Sequence, residues 1–169
     1  MHRDQAFGRK PSCMNLNALY VGMALLAGIL LATQSAINSQ LAKGLGGAPI
    51  FAALFSFLVG SLCLLVVAAA KGQLAAPWAQ LPQQAPWQLI GGALGAFLVF
   101  SSVFLAPKIG LAHMLLWIIL GQLIAGMIID HWGLLQMPVR PVSLWRLLGI
   151  GIVGFGVLVF FFAEQWFPS

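Results

Sequence analysis

The sequence predicts an all-α integral membrane protein of about five transmembrane helices. Two observations carry that expectation. Of 169 residues, 61% are hydrophobic and only 7% are charged, whereas an ordinary soluble domain has roughly 25% charged residues, so most of the folded surface has to face something other than water. The apolar residues also gather into five runs long enough to cross a hydrocarbon core, which takes about 20 helical residues. These runs lack the strict alternation of barrel strands. In lipid every backbone polar group must be satisfied within its segment or by barrel closure, and the pattern therefore leaves helices.

The runs fall at about 16–41, 50–70, 88–106, 109–129 and 145–163. The first follows Arg3, Arg9 and Lys10 as a secretory signal would. Its apolar core is longer than the roughly 7–15 residues of a signal, and no convincing small-x-small cleavage site follows, so it reads as a retained helix. Because MNLNALYVGM from Met14 is itself an ordinary start for such a helix, residues 1–15 are expected to stand apart as a non-native or disordered segment, with 16–169 forming one transmembrane domain. AKGLGGAP, Ala42 to Pro49, joins the first two runs, and PKIG joins the third and fourth. Both links predict tight antiparallel hairpins punctuated by Pro49 and Pro107. The remaining links, KGQLAAPWAQLPQQAPW and DHWGLLQMPVRPVSL, are longer and carry Pro and Trp suited to a membrane interface.

Charge sets the orientation. The net charge of +5 comes from 8 Lys and Arg against 3 Asp and Glu, but the basic residues stand singly between apolar runs, which excludes a nucleic-acid partner and makes them topology signals. With the N-terminus inside, Arg3, Arg9, Lys10, Lys71, Arg140 and Arg146 face the cytoplasm, and Lys43 and Lys108 face out. That favours N-in, C-out. A chain starting at Met14 is nearly balanced, and near balance permits insertion both ways. Cys13 and Cys63 offer no disulfide framework.

The stretch GQLIAGMIIDHWG ends in Asp130 and His131, residue types used for metal binding and acid–base chemistry. A metal needs more ligands. His2 and Asp4 are terminal, Glu164 is expected on the opposite face, and His113 lies several turns away on the same helix. Asp130 and His131 therefore read as a membrane boundary or gate, with no catalytic set, metal or cofactor implied. No Asp, Glu, Lys or Arg falls near the middle of a run. The polar content there is amide and hydroxyl: Gln34 and Asn38, four apart on one helix face, Gln122 in the fourth run, and Ser56, Ser61, Ser101 and Ser102. Serines in such helices bond the carbonyl four residues back, whereas Gln34, Asn38 and Gln122 serve either as helix glue or as a polar substrate path. Trp117, four residues from His113, is either a packing residue or the apolar wall of a path. Gly91 with Gly95, Gly121 with Ala125, and Gly149 with Gly156 have spacings that let helices approach closely.

LLATQSAINSQLAKGLG, GGALGAFLVFSSVFLAPKIG and GQLIAGMIIDHWGLLQMPVRPVSLWRLLGIGIVGFGV resemble the YdcZ-type branch of the drug/metabolite transporter superfamily, from about Met14 to Val159. The conjunction of GQ, IDHWG, PVRP and RLLG is more specific than hydropathy. The resemblance implies an exporter of small molecules in the bacterial inner membrane. It also implies a bundle of five helices equivalent to half of the ten-helix members, and hence pairing with a second five-helix chain, either a copy or a homologue. The glycine spacing in the last run is similar to that of the dimerising helix of the small multidrug resistance family. That family's first-helix glutamate has no counterpart here, where Gln34 and Asn38 occupy the region, so proton antiport and cationic drugs are not implied.

The expected function is thus a transporter subunit in the lipid bilayer that moves a small molecule by alternating access. Gln34 and Asn38 would orient the substrate, Gln122 would face the same path, and Trp117 would wall it. A non-transporting interaction or assembly subunit is the second reading and a membrane enzyme the third.

Overall fold

The computed structural model describes the backbone of residues 13–166 and the side chains of 18–163. His2, Arg3, Asp4, Arg9 and Lys10 lie outside the described residues, as do the side chains of Cys13, Met14 and Glu164. The described chain is helical, in the order α1 (Cys13–Gly44), α2 (Pro49–Ala70), α3 (Ala75–Gln80), α4 (Pro86–Leu89), α5 (Gly91–Ile109), α6 (Leu111–Trp132) and α7 (Leu144–Trp166), with 3-10 turns at Leu81–Gln83 and Leu134–Gln136. Five spans are long and apolar enough to cross a bilayer: Ala18–Gly44, Pro49–Ala70, Pro86–Ile109, Leu111–Trp132 and Leu144–Ala163. The five runs of the sequence are these five spans.

Glycine makes the two short hairpins possible. Gly46 and Gly47 have φ of +71° and +84°, a region open to glycine at no steric cost, and the Gly47 and Ala48 N–H groups both donate to the Ala42 carbonyl at 2.9 and 3.2 Å. The chain then enters α2 with Pro49 in its first turn, where the missing N–H would have had no helical partner. The second hairpin is tighter than the sequence suggested. Pro107 lies inside α5, which continues to Ile109, and a single residue, Gly110, joins α5 to α6. Its φ of +86° and ψ of +145° approach a conformation almost confined to glycine. Gly110 donates to the Ala106 carbonyl and accepts from Met114 N–H, both at 3.0 Å, so it closes one helix and opens the next. So near a helix end, Pro107 forfeits one backbone bond without breaking the helix.

Helices α1, α2 and α5 pack on one another, α6 packs on α5 and touches α1, and among the described residues α7 contacts no other helix but α6. The tightest packing joins Ala42, Ala52 and Val103, with Leu41 and Val99 against them. Two alanines at that junction bring three backbones close, as small residues do in membrane bundles. Elsewhere large apolar side chains face outward, among them Leu64 and Ile152, each 72% exposed. In water that surface would aggregate; in a hydrocarbon solvent it is the lipid contact. Up-and-down order places Lys43 and Lys108 at one end of the bundle and Lys71, Arg140 and Arg146 at the other.

Candidate functional site

Depth comes first. At about 1.5 Å per helical residue, Gln34 sits about 13 Å from Lys43, and Gln122 about 12 Å from Asp130. Both amides are near the middle of a core about 30 Å thick. Both are exposed on the surface of the single chain. Gln34 Nε2 donates to Ser56 Oγ of α2 at 3.2 Å, and the two residues border a groove of about 390 Å³ with Ser61, Gly60 and Gly92.

Asn38 is placed differently. Although it is one turn from Gln34, it is 6% exposed, beside the buried Ser35 and Ser39. Its Nδ2 has no hydrogen-bond partner among the described residues. A donor buried in that way costs about 1–3 kcal/mol, so a partner beyond those residues is worth that much to the fold. Three of the hydroxyls are spent locally. Thr33, Ser35 and Ser102 donate to the carbonyls of Ile29, Leu31 and Leu98 at 2.9, 2.8 and 2.8 Å, the back-bonding expected of these residues in helices. Ser56 instead receives Gln34, and among the described residues Ser61 and Ser101 lack the expected bond to the preceding turn.

Gln122 lies in a different groove. Helices α6 and α7 diverge around a space of about 540 Å³ lined by Gln122, Asp130, Arg146, Gly126, Gly149 and apolar side chains. Trp117 is 48% exposed and leans on Phe161 of α7 with ring centroids 5.3 Å apart. His113 meets Phe161 and Phe160 edge-on at 4.5 and 5.0 Å. Within one chain, then, Gln34 and Gln122 do not share a cavity. A Cβ at Gly95 would touch the Phe57 ring of α2 at 3.6 Å, while at Gly91, Gly121, Gly149 and Gly156 it would meet nothing within 4 Å.

Asp130 and His131 hold the loop that follows them. Gly133 ends α6 in the left-handed conformation (φ 59°, ψ 32°) and donates to the Ile129 carbonyl. A Cβ there would lie 2.6 Å from Val139 Cγ2. Leu135 and Gln136 also have positive φ, 56° and 62°, an uncommon and costly state for side-chain-bearing residues. Two bonds return the chain to α6: Arg140 N–H donates to the Asp130 carbonyl at 2.7 Å, and Val142 N–H donates to His131 Nδ1 at 3.1 Å. Nδ1 is therefore an acceptor, and the imidazole hydrogen lies on Nε2. The pairing of IDHWG with PVRP went unseen in the sequence, although both motifs stood out there. Among the described residues, no three His, Cys, Asp or Glu side chains converge as a metal site would require.

Five membrane-spanning helices with grooves between them define a polytopic α-helical membrane protein. The chain belongs to the family described as "Putative inner membrane exporter, YdcZ", whose model matches residues 19–159. Neither a search of curated proteins nor one of solved structures finds a match. The protein is thus a multi-pass inner-membrane protein of an exporter family, which points to transport rather than enzymic chemistry.

Proposed function

We propose that two of these five-helix units, in opposed orientations, enclose a central cavity and export a small molecule by alternating access. The observation that carries this reading is the outward exposure of Gln34 and Gln122 at mid-depth. Moving an amide from water to an apolar medium without partners costs roughly 2–7 kcal/mol, depending on the reference state. A single chain in lipid would bear that cost at Gln122, and in part at Gln34, whose amide bonds only to Ser56, whereas a second chain enclosing a wet cavity removes it. Transporters built from opposed repeats hold their substrate near the midplane, the depth of these amides. The open glycines on α6 and α7 support a further chain at this surface.

In this reading Gln34, Asn38 and Gln122 orient the substrate and Trp117 walls it. The Gln34–Ser56 bond favours a second reading for Gln34 alone, as glue between α1 and α2. Counterflow in reconstituted vesicles separates the two. Gln122→Leu is expected to abolish flux while leaving insertion and dimerisation unchanged; loss of dimerisation by the same substitution makes the amide an assembly contact.

A further inference from the structure

The groove between α6 and α7 carries one carboxylate and one guanidinium, and no hydrogen bond or ion pair engages either side chain among the described residues. The Asp130 contact to the loop runs through its main-chain carbonyl, and that of Arg146 to Ser143 runs through its main-chain N–H. Neither charge serves its own helix. Asp130 lies in the last turn of α6, at the negative end of the helix dipole, and Arg146 lies in the first turn of α7, at the positive end. Each is the sign that its helix end disfavours. The helices are antiparallel, so these two ends are neighbours, and the groove of about 540 Å³ between them has the size of a small-molecule site.

We infer that this groove binds a small zwitterion, its cationic group on Asp130 and its carboxylate or phosphate on Arg146. Leu123, Met127, Ile150 and Val153 contact its apolar body, and the Gln122 amide, about 12 Å deeper along α6, lines the far end of the groove beyond the reach of a molecule as short as leucine. Charge arithmetic selects the class. A simple cation satisfies Asp130 but is repelled by Arg146, and a simple anion meets the reverse difficulty. A molecule carrying both charges engages both groups, and that difference is the source of specificity. Gly126 and Gly149 keep the floor of the groove open. Free amphoteric metabolites and the phosphoethanolamine headgroup of a lipid share this chemistry. The inference rests on the transport reading for the fate of the ligand but not for its binding.

The test uses the full chain in nanodiscs of phosphatidylglycerol, a lipid without a zwitterionic headgroup. Leucine is compared with leucinamide, which keeps only the cation, and with N-acetyl-leucine, which keeps only the anion. Leucine is expected to bind at least tenfold more tightly than either analogue, and Asp130→Asn and Arg146→Gln are each expected to remove that preference. Should phosphatidylethanolamine in the disc stabilise the protein and block leucine, the site holds with a lipid as its occupant. Equal binding of the three probes, or no effect of leucine and of phosphatidylethanolamine on the unmodified chain, overturns the inference without recourse to a variant. Leucine binding without leucine counterflow refutes the transport reading and leaves the site standing.

Discussion

Val142 donates its backbone N–H to Nδ1 of His131 across 3.1 Å, so the PVRP segment is tied to the end of α6 eleven residues earlier in the chain. Together with the bond from Arg140 N–H to the Asp130 carbonyl, it holds the segment that leads into α7 against the end of α6.

Replacing His131 by Leu removes the acceptor and leaves a partly buried N–H without a partner. A loss of about 1 kcal/mol is expected, read as a fall in melting temperature of about 2–4 °C for a chain of this size. His131→Gln offers an amide oxygen in place of Nδ1 and is expected to recover most of that loss. Equal destabilisation by the two variants would show that the ring packing, rather than the bond, matters.

Gly133→Ala brings two penalties, a left-handed backbone and a methyl 2.6 Å from Val139 Cγ2. Together they are expected to cost about 1–3 kcal/mol. Val139→Ala in the same chain should return the steric part and leave the backbone part, which a double-mutant cycle measures. Strict additivity of the two substitutions contradicts the contact.

The role of Gln34 separates by partner. Ser56→Ala removes the hydroxyl that receives the Gln34 amide but leaves the amide in place, so flux is expected to persist with a stability change of no more than about 1 kcal/mol. Gln34→Leu is expected to abolish flux in a chain that still inserts and pairs. If both variants lose stability equally and flux survives in each, Gln34 is glue.

These outcomes bear on what the sequence could disclose. The five spans were legible because hydropathy and length alone decide which helices can cross a bilayer. The α5–α6 hairpin was legible as a turn but misread by three residues, since a proline near a helix end forfeits a single bond and Gly110 alone has the backbone freedom to reverse the chain. The four-residue spacing put Gln34 and Asn38 on one helix face, but it could not tell that one would be exposed and the other buried. Their fates were decided by where α2 and α5 pack on α1. Asp130 and His131 read in the sequence as a membrane boundary or gate, whereas their bonds to Arg140 and Val142 join residues about ten apart through a loop with two strained positions. No periodicity encodes such a contact.

Orientation has its own consequence. If the 169-residue chain inserts with Lys71, Arg140 and Arg146 inside, reporters at the C-terminus are expected to signal from the outer face. Two opposed copies need both orientations, so a chain begun at Met14, where the basic residues nearly balance, is expected to signal from both faces. A single orientation for that shorter form, with transport retained, replaces the opposed pair by a parallel pair or a separate partner.

Water at the two amides is the most direct test of the enclosed cavity. In a chain with Cys13 and Cys63 replaced by Ser, single cysteines at Gln34, Gln122 and Phe97 are exposed to a water-soluble maleimide in membrane vesicles. Only the thiolate reacts, and it forms where water reaches. Phe97, 71% exposed and apolar, serves as the lipid-facing control. Rapid labelling at Gln34→Cys and Gln122→Cys with little at Phe97→Cys is the expected result. Labelling of all three at the slow rate of Phe97→Cys would mean that the amides face lipid or dry protein, and the cavity shared by two chains would not exist.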